Sequence, residues 1–353
     1  MKDLFTYLSE TEKPIVLYGT GDGADKILNV LEARGASVSA IFASDGFVRK
    51  RTFRGIDVMS YTDVCRQLKN FIVLVAFGSN LKSVIDRVYA IAAIHETYIP
   101  DVPAYGEELF DSEFYLSHED EIKKARQLFS DERSKLLYDS IIEYKLTGKP
   151  ELLTKYISEP DEAYTDILHP KYYKNTFDLG AYNGDTALKL CEYVQPDCII
   201  NAVEPNVKLF NKLCFNTVNR PNINPILSAA WNERTILEFN IGRGRGAAVN
   251  KQRKTKTVEI CADTLDNMAN GNSVDYIKYD VEGTEKEALE GSRRTIKEFL
   301  PELCVSVYHK SRDIFALPIM LSEISGDYDF FLRRTLCIPA WEINLYAVKK
   351  SGH

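Results

Sequence analysis

Short apolar runs alternate with stretches of helical periodicity in the amino-terminal part of the chain. The runs long enough for a buried strand are residues 14–18, 37–42 and 71–77. The first run leads into a glycine turn at residues 19–23, and an amphipathic stretch then continues to Gly35. Because the order strand, glycine turn, helix and strand is typical of a βαβ unit, the pattern predicts a parallel sheet in a domain over residues 1–105.

The same alternation returns further along the chain and predicts a second, larger sheet. Strands are expected at residues 175–179, 198–203, 224–229, 236–241, 274–279 and 303–308. Helices are expected at residues 185–193, 206–217 and 284–299. Two final strands, residues 328–333 and 343–348, would close the sheet as an antiparallel pair. We therefore predict a second α/β domain over residues 171–353.

The segment between the two sheets differs in both pattern and charge. Residues 106–170 have helical periodicity without a strand pattern, which predicts a helical connector or a cap on the second domain. Residues 101–170 carry 8 basic and 17 acidic side chains, whereas the segments on either side each carry a net charge of +1. The net charge of −7 therefore comes from this acidic segment and gives no indication of nucleic-acid binding.

The composition is that of a globular protein. Of the 353 residues, 45 % are hydrophobic and 27 % are charged. No apolar run approaches the roughly 20 residues that span a bilayer. The amino terminus lacks the apolar core of a signal peptide, so we expect a cytoplasmic protein without a membrane span. The seven cysteines include no CxxC pair, which favours reduced thiols over disulfides or a zinc site.

Two strand ends at the start of the second sheet carry the most informative residues. The first strand ends near Asp178 and runs into a loop that contains Gly180 and Gly184, where glycine permits close approach of the backbone to a ligand. About 25 residues after Asp178, the next strand ends in Glu204, at the spacing expected for a carboxylate that binds ribose hydroxyls. The pair predicts a cofactor site, although glycine and aspartate also occur in βαβ turns for local reasons.

The sequence resembles class I S-adenosylmethionine-dependent methyltransferases, and in particular the FkbM family. The resemblance covers roughly residues 160–350 and rests on these segments in order: FDLGAYNGDTALKL, AVEPNVKLFNKLCFN, LSAAWNE, DTLD, YIKYDVEGTEKEALEGS, SVYHK and WEINLYAV. It implies a class I methyltransferase seven-stranded sheet with an antiparallel last strand. It also implies S-adenosyl-L-methionine as the cofactor.

The resemblance assigns cofactor-binding roles by position. Asp178 and the loop after it would surround the methionine part of the cofactor, and Glu204 would bind the ribose. Ser228 and Ala229 would lie near the adenine. The expected cofactor-binding residues are Asp178, Gly180, Ala181, Tyr182, Asn183, Gly184, Asp185, Thr186, Glu204, Ser228, Ala229 and Asp280. No metal site is expected, because the sequence contains no dense group of ligand side chains.

The catalytic candidates are residues that could take a proton from an acceptor hydroxyl during methyl transfer. His309 follows the strand at residues 303–308, and the ordinary pKa of histidine makes it a convenient base at neutral pH. Asp280 and Glu282 could orient the acceptor, act as the base or share a cation with His309. As alternatives, Glu282 caps the helix that begins near Thr284, and His309 is structural.

Two further features admit more than one interpretation. Residues 242–256 hold six cations and no acidic residue, which fits either a clamp on an anionic acceptor or a solvated loop between strands. Residues 19–24 fit the dinucleotide fingerprint G-x-G-x-x-[GA], with Asp45 downstream. However, Asp22 and Asp25 would weaken pyrophosphate binding, so this turn either binds a nucleotide or serves as a scaffold.

The combined prediction is an S-adenosylmethionine-dependent methyltransferase that acts on a hydroxyl of a sugar, a glycan or a related small metabolite. The expected architecture is an N-terminal Rossmann-like domain, an acidic helical connector and a C-terminal methyltransferase domain. The alternatives are an NAD-dependent oxidoreductase or epimerase that uses the amino-terminal domain, and a non-catalytic binding scaffold. The acceptor is the expected partner, nucleic acid is not, and a homodimer stays open.

Overall fold

Two largely parallel sheets, joined by a helical segment, form the framework of the protein. The computed structural model describes residues 2–44, 52–240 and 257–350. Within these ranges, no helix is both long enough and apolar enough to cross a membrane. Asp45 and the basic residues 242–256, which the sequence analysis singled out, lie outside the described residues.

The amino-terminal sheet has six strands. They are β1 (Ile15–Tyr18), β2 (Ala40–Ala43), β3 (Thr52–Phe53), β4 (Ile56–Ser60), β5 (Ile72–Val75) and β6 (Glu96–Tyr98). Their order is β3-β4-β2-β1-β5-β6, and all neighbours are parallel except β3 and β4. The helices are α1 (Leu4–Glu10), α2 (Asp22–Ala33), α3 (Tyr61–Gln67) and α4 (Lys82–Ala92). The predicted Rossmann-like parallel sheet is confirmed.

Burial explains which strands of this sheet the sequence pattern predicted. Every residue of β1, β2 and β5 is buried, so these strands are continuous apolar runs. The pattern missed β3, β4 and β6, whose residues are largely half-buried or exposed. Short strands near a sheet edge alternate too weakly to stand out from loops.

The connector is helical, as predicted. Its elements are α5 (Ser112–Ser117), α6 (Glu119–Leu128), α7 (Glu132–Thr147), α8 (Glu162–Asp166) and 3₁₀ turns at Pro150–Thr154 and Pro170–Tyr172. The side chain of Asp131 accepts the Ser134 N–H at 2.8 Å and so caps α7 at its start. Gly148, in the left-handed conformation, ends the same helix.

The carboxy-terminal region contains a seven-stranded and a three-stranded sheet. The strands are β7 (Asn175–Leu179), β8 (Ile199–Val203), β9 (Ile223–Ile226), β10 (Ala229–Ala230), β11 (Thr235–Asn240), β12 (Thr257–Asp263), β13 (Tyr276–Tyr279), β14 (Glu302–Ser306), β15 (Tyr328–Arg334) and β16 (Ile343–Lys349). The large sheet has the order β15-β16-β14-β13-β7-β8-β9, and the small one has the order β10-β12-β11. Among the described strands of the large sheet, β16 and β15 are the two that pair in antiparallel fashion, which confirms the predicted seven-stranded topology.

Two predicted elements of this region are each divided in the structure. The helices are α9 (Asp185–Leu190), α10 (Val207–Thr217), α11 (Leu265–Met268), α12 (Glu285–Glu290), α13 (Arg293–Phe299) and α14 (Asp313–Ile324). The predicted helix 284–299 breaks at Gly291, where an added Cβ would lie 1.9 Å from the carbonyl oxygen of Trp231. The predicted strand 224–229 changes sheet, because β9 pairs with β8 whereas β10 pairs with β12. Neither β12 nor α14 was predicted.

The sheets and the connector share buried packing. Helix α6 packs against α14, and α7 packs against the edge strand β15. One buried apolar cluster includes residues of both sheets and of the connector, such as Phe42, Tyr138 and Leu179. The connector helices therefore contribute side chains to the same buried core as the two sheets.

Candidate active site

The large sheet reverses its strand order between β7 and β13, which opens a crevice at the carboxyl ends of these strands. Asp178 of β7 pairs in register with Lys278 of β13. Asp280 follows β13 directly, Glu204 follows β8, and His309 lies three residues beyond β14. The parallel strands therefore bring four of the predicted site residues to one edge of the sheet, which we call the site edge.

The loop after β7 folds tightly against the loop after β13. Gly180 has a φ of +86°, and a Cβ at this position would lie 1.9 Å from the carbonyl oxygen of Asp280. Only glycine leaves room for this approach. The N–H groups of Gly180 and Ala181 both donate to the Val203 carbonyl oxygen, at 2.9 Å each. Tyr182 has a left-handed backbone with φ of +49° and is 40 % exposed.

The carboxylate of Glu204 is held by two backbone donors at the end of β8. The N–H of Tyr182 donates to Oε2 at 2.9 Å, and the N–H of Asn206 donates to Oε1 at 2.7 Å. Burial raises the pKa of Glu204 to about 7 in spite of these two hydrogen bonds. Each oxygen keeps acceptor capacity, so the carboxylate can bind two vicinal hydroxyls.

Asp178 is a buried carboxylate that lacks a close hydrogen bond within the part of the chain that the structure describes. Its side chain is 2 % exposed, and neither Oδ1 nor Oδ2 has a hydrogen-bond partner. Lys278 Nζ lies 3.6 Å from Asp178 Oδ1 and 3.1 Å from Asp280 Oδ2. Burial raises the pKa of Asp178, and the Lys278 ammonium opposes this rise. The Lys278 ion pair compensates the buried carboxylate only in part, because its oxygens lack close hydrogen bonds, which marks this position as a receptor for a further cationic or hydrogen-bond-donating group.

His309 lies among three carboxylates at the site edge. Its Nδ1 is 2.9 Å from Glu285 Oε1, and its Nε2 is 3.6 Å from Glu282 Oε2 and 3.7 Å from Asp280 Oδ1. The histidine side chain is 2 % exposed. Glu285, at the start of α12, was not among the predicted site residues. Its Oε1 also accepts the N–H groups of Val281 and Gly283, at 3.0 and 3.3 Å.

The surrounding charges decide the protonation state of His309. Burial alone would lower its pKa, but the negative charges of Glu285, Asp280 and Glu282, with the Glu285 hydrogen bond, raise the pKa to about 9. The imidazole is therefore protonated at neutral pH, and the ordinary histidine pKa used in the sequence analysis does not apply here. Lys278 and His309 together hold the pKa of Asp280 below its usual value against the effect of burial.

The family comparison identifies the part of the chain that carries this site. Residues 178–334 match the family model described as a methyltransferase FkbM domain. This part of the chain is an FkbM methyltransferase domain. The matched range begins at Asp178 and includes Glu204, Lys278, Glu285 and His309. No match to the chain was found among curated protein sequences.

Solved structures resemble the chain to different extents. The crystal structure of methyltransferase FkbM from Methylobacillus flagellatus KT is 19 % identical, covers 95 % of this chain and 90 % of its own, and superimposes with a TM-score of 0.70. At this identity the likeness concerns the fold, and it extends over both sheets. Aeropyrum pernix fibrillarin in complex with S-adenosyl-L-methionine is 17 % identical over 51 % of this chain and 69 % of its own, with a TM-score of 0.35. Methanococcus jannaschii fibrillarin is 16 % identical over 53 % and 71 %, with a TM-score of 0.35.

The predicted adenine neighbours lie where the FkbM domain passes from its large sheet to its small one. Ser228 Oγ donates to the carbonyl oxygens of Ala229 and Cys261, at 3.1 and 3.3 Å. The chain enters this junction beside Glu204, whose N–H donates to the Ile226 carbonyl oxygen at 3.0 Å. A cavity of ≈ 350 Å³ opens here, lined by Ser228, Arg234, Thr235, Ile236, Cys261, Ala262 and Asp263.

The remaining loop residues of the FkbM domain are engaged in local contacts at the start of α9. Asn183 Oδ1 accepts the Asp185 N–H at 3.2 Å, and Asp185 Oδ1 accepts the Thr186 N–H at 2.9 Å. The Asn183 carbonyl oxygen accepts from Asn216 Nδ2 at 2.8 Å. The negative charge of Asp185 contributes to the raised pKa of Asp178. Their roles as cofactor ligands stay predictions.

A tyrosine at the end of the amino-terminal domain, Tyr105, lies against the site edge of the FkbM domain. The N–H of Tyr105 donates to the His309 carbonyl oxygen at 2.9 Å. Its ring lies so close to Gly283 that a Cβ on the glycine would be 2.6 Å from Tyr105 Cγ. Sequence reasoning could not find this residue, because nothing local in residues 103–108 points to a contact with His309. No group of three or more histidine, cysteine or acidic residues in the described ranges has the geometry of a metal site.

The carboxyl edge of the amino-terminal sheet meets the loop between β15 and β16. Ser79 and Ile338 form an antiparallel bridge, with N–H···O distances of 2.7 and 2.9 Å. The Trp341 ring lies on Gly78, where a Cβ would be 2.1 Å from the ring. At the predicted phosphate site, Asp22 pairs with Lys26 at 3.2 Å and Asp25 pairs with Arg54 at 2.8 Å. Pyrophosphate at this helix start would therefore meet two carboxylates.

Proposed function

We propose that the FkbM domain transfers a methyl group from S-adenosyl-L-methionine to a hydroxyl of a sugar, a glycan or a related small metabolite. The observation that carries this proposal is the pair of buried carboxylates, Asp178 and Glu204, on adjacent strands at the reversal of strand order. The cofactor carries an ammonium group and a ribose, and each needs a carboxylate of the kind found here.

The residues present fit this cofactor. The two orphaned oxygens of Asp178 suit the ammonium of the methionine moiety, which would bring the hydrogen bonds that the buried carboxylate lacks. The remaining lone pairs of Glu204 suit the two ribose hydroxyls. The exposed loop at Tyr182 would cover the methionine portion, and the junction at Ser228 would adjoin the adenine.

The chemistry supplied by the cofactor is a methyl group on a sulfonium, which leaves by in-line displacement. The task of the protein is to align the acceptor oxygen and to take its proton. His309, Asp280 and Glu282 form one proton-accepting cluster, because the imidazole Nε2 lies within ion-pair distance of both carboxylates. Interacting groups of this kind titrate as a unit. Glu285 fixes the orientation of the ring through Nδ1.

The charge state of this cluster suggests how the acceptor proton is handled. With His309 protonated in the resting site, the hydroxyl proton passes first to Asp280 or Glu282, and the imidazolium holds these carboxylates in place. His309→Ala should therefore slow methyl transfer more than it weakens cofactor binding.

Isothermal titration calorimetry on the full chain tests the proposal. We expect S-adenosyl-L-methionine to bind and NAD not to bind. Glu204→Ala should weaken cofactor binding, because the ribose loses two charge-assisted hydrogen bonds worth at most about 1.5–3 kcal/mol each. Glu233→Ala, which removes an exposed carboxylate of the same domain, is the control and should bind as the unaltered chain does. Binding of NAD alone would instead favour an oxidoreductase, and binding without methyl transfer to any acceptor would favour a non-catalytic scaffold.

A further inference from the structure

A short stretch of chain joins the amino-terminal domain to the site edge. We call residues 103–108 the strap. On the side of the amino-terminal domain, Lys26 Nζ of helix α2 donates to the carbonyl oxygens of Pro103 and Ala104, at 2.9 and 3.0 Å. Because both acceptors are main-chain carbonyl oxygens, the Lys26 ammonium holds the backbone of the strap and not one of its side chains. Helix α2 therefore determines where the strap begins.

The other end of the strap is attached to the FkbM domain. Ser311 Oγ donates to the carbonyl oxygen of Glu108 at 2.5 Å, and Arg312 forms an ion pair with the Glu108 carboxylate. This pairing keeps the pKa of Glu108 below its usual value. Both contacts lie within three residues of His309 in the chain. The strap is thus anchored to one domain at its start and to the other at its end.

Tyr105 lies between these anchors and contacts the two segments that carry the proton-accepting cluster. Its N–H binds the main chain at His309, its ring covers the Cα of Gly283, and the Lys310 ammonium lies 5.5 Å from the ring centroid. The ring is held at its backbone by the His309 carbonyl oxygen and is contacted by the Lys310 ammonium, so it covers this segment from a defined position.

The segment beneath the ring has a strained backbone. Glu282 has a φ of +54° and Gly283 a φ of +94°, so two successive residues are left-handed. A left-handed glutamate costs of order 1 kcal/mol and persists only where its surroundings impose it. This conformation directs the Glu282 carboxylate to within 3.6 Å of His309 Nε2, although the side chain is 57 % exposed. Glu285 holds this loop from one side, through the N–H groups of Val281 and Gly283, and the Tyr105 ring covers it from the other side at Gly283.

We propose that Tyr105 is a positioning residue of the methyl-transfer site, which holds Glu282 against His309 and couples this pair to the amino-terminal domain through the strap. The catalytic consequence rests on the proposed function, but the geometry does not. If the ring is lost, residues 282–283 can relax and the Glu282 carboxylate can move into solvent. The strap touches neither Asp178 nor Glu204, so cofactor binding is not expected to change.

The test follows the imidazole nitrogens of the full chain by NMR as a function of pH. The charged groups that face His309 are Glu285 on α12, Asp280 and Glu282 after β13, and Asp313 at the start of α14. Of these, Glu282 directly precedes the glycine that the ring covers, and its side chain is the most exposed of the four. Because release of Glu282 removes a negative charge beside Nε2, we expect Tyr105→Ala to lower the titration midpoint of His309 by about half a pH unit or more. A rise of the midpoint would mean that the lost burial of the imidazole outweighs the lost charge, and it would overturn the proposal. Tyr105→Phe keeps the ring and should titrate as the unaltered chain does.

Matched controls separate positioning from general damage. Tyr172→Ala removes a tyrosine that is 78 % exposed and should leave the His309 midpoint unchanged. The other histidines, such as His95 in the amino-terminal domain, serve as internal references within each spectrum. An unchanged His309 midpoint in Tyr105→Ala overturns the proposal, as does an equal shift in Tyr105→Phe.

A second variant covers the case in which Tyr105→Ala does not fold. Lys26→Met keeps the ring and removes the tie of the strap to helix α2, together with the exposed ion pair to Asp22, so the His309 midpoint should fall in the same direction. Lys124→Met, at an exposed surface pair with Glu323, is its control. No shift in Lys26→Met overturns the coupling to the amino-terminal domain. Binding of S-adenosyl-L-methionine, measured on the same samples, tests the proposed function separately. If the unaltered chain does not bind it, the proposed function is contradicted, whereas the positioning role of Tyr105 is not.

Discussion

Nδ1 of His309 lies 2.9 Å from Oε1 of Glu285, and both side chains are almost completely buried. The same Glu285 oxygen accepts two N–H groups from the loop that carries Glu282. A single carboxylate therefore fixes both the imidazole and the backbone of the acidic loop. The other oxygen, Oε2, is buried without a hydrogen-bond partner, so the arrangement depends on the bonds at Oε1.

Glu285→Gln should lower the pKa of His309 from about 9 toward or below the ordinary value of 6.5, because the carboxylate charge and its hydrogen bond both favour the imidazolium. A group whose folded pKa is raised stabilises the fold below its unfolded pKa, and this contribution is lost as the pH rises through the folded pKa. In the unaltered chain, we expect the free energy of unfolding to fall by about 2–3 kcal/mol from this source between pH 6.5 and pH 9. NMR titration of His309 and urea unfolding at both pH values measure these effects.

Glu287→Gln on the same helix is the control for this substitution. Glu287 also has a buried oxygen that lacks a hydrogen-bond partner within the described residues. Unlike Glu285, it forms no ion pair with His309 in this part of the chain. Its substitution should leave the midpoint of His309 close to 9. Equal midpoints in Glu285→Gln and the unaltered chain would mean that Asp280 and Glu282 alone set the charge of the imidazole.

Glu204→Gln should remove a second pH dependence of the free energy of unfolding, one that comes from a buried acid rather than from a base. Burial raises the pKa of Glu204 from 4.5 to about 7, so the native state prefers the protonated carboxyl. The folded protein therefore loses stability as the pH rises from about 4.5 to 7, by about 2–3 kcal/mol from this group. The variant should lose less stability than the unaltered chain between pH 5 and pH 8, as measured by urea unfolding at both values. Parallel losses in the two proteins would mean that the carboxyl is ionised at all these pH values.

The sequence was most informative where a whole element is buried. The bounds predicted for the first strand of the large sheet are those of β7, Asn175–Leu179, because its buried residues form an apolar run that ends at a glycine turn. Glu204 was singled out because the number of residues between the ends of two successive parallel strands is nearly constant in βαβ units. The antiparallel pair β15 and β16 followed from two long runs near the end of the chain.

The missed residues act through contacts that sequence spacing does not encode. Glu285 is one of several acidic residues in a helical stretch, and only the packing of α12 against the strand ends brings it to His309. Lys278 gave a weak signal, a cation within the apolar run of β13, whose meaning requires the register with Asp178. Tyr105 is more than 200 residues from His309, and no periodicity relates the two.

Asp178→Asn should weaken the binding of S-adenosyl-L-methionine by about 10- to 100-fold, because the ammonium loses a buried charge-assisted hydrogen bond. The apo protein should lose little stability at neutral pH, because the substitution removes a buried carboxylate without a close hydrogen bond and Lys278 keeps its shorter ion pair with Asp280. Isothermal titration calorimetry and thermal unfolding measure the two effects. Asp57→Asn, at an exposed position of the amino-terminal sheet, is the control. Unchanged affinity would show that the ammonium binds elsewhere.

Gly180→Ala should destabilise the protein and abolish cofactor binding, whereas Gly271→Ala should be mild. Both glycines have positive φ, +86° and +78°, so both substitutions impose a similar backbone strain of about 1 kcal/mol. They differ in space: the new methyl group would lie 1.9 Å from the Asp280 carbonyl oxygen at position 180, but it meets nothing within 4 Å at position 271. The loops after β7 and β13 must therefore separate in Gly180→Ala, and we expect a loss of about 3 kcal/mol or more in urea unfolding. If the two variants unfold alike, the loops are not in close contact in solution, and the crevice between Asp178 and Asp280 is wider than described.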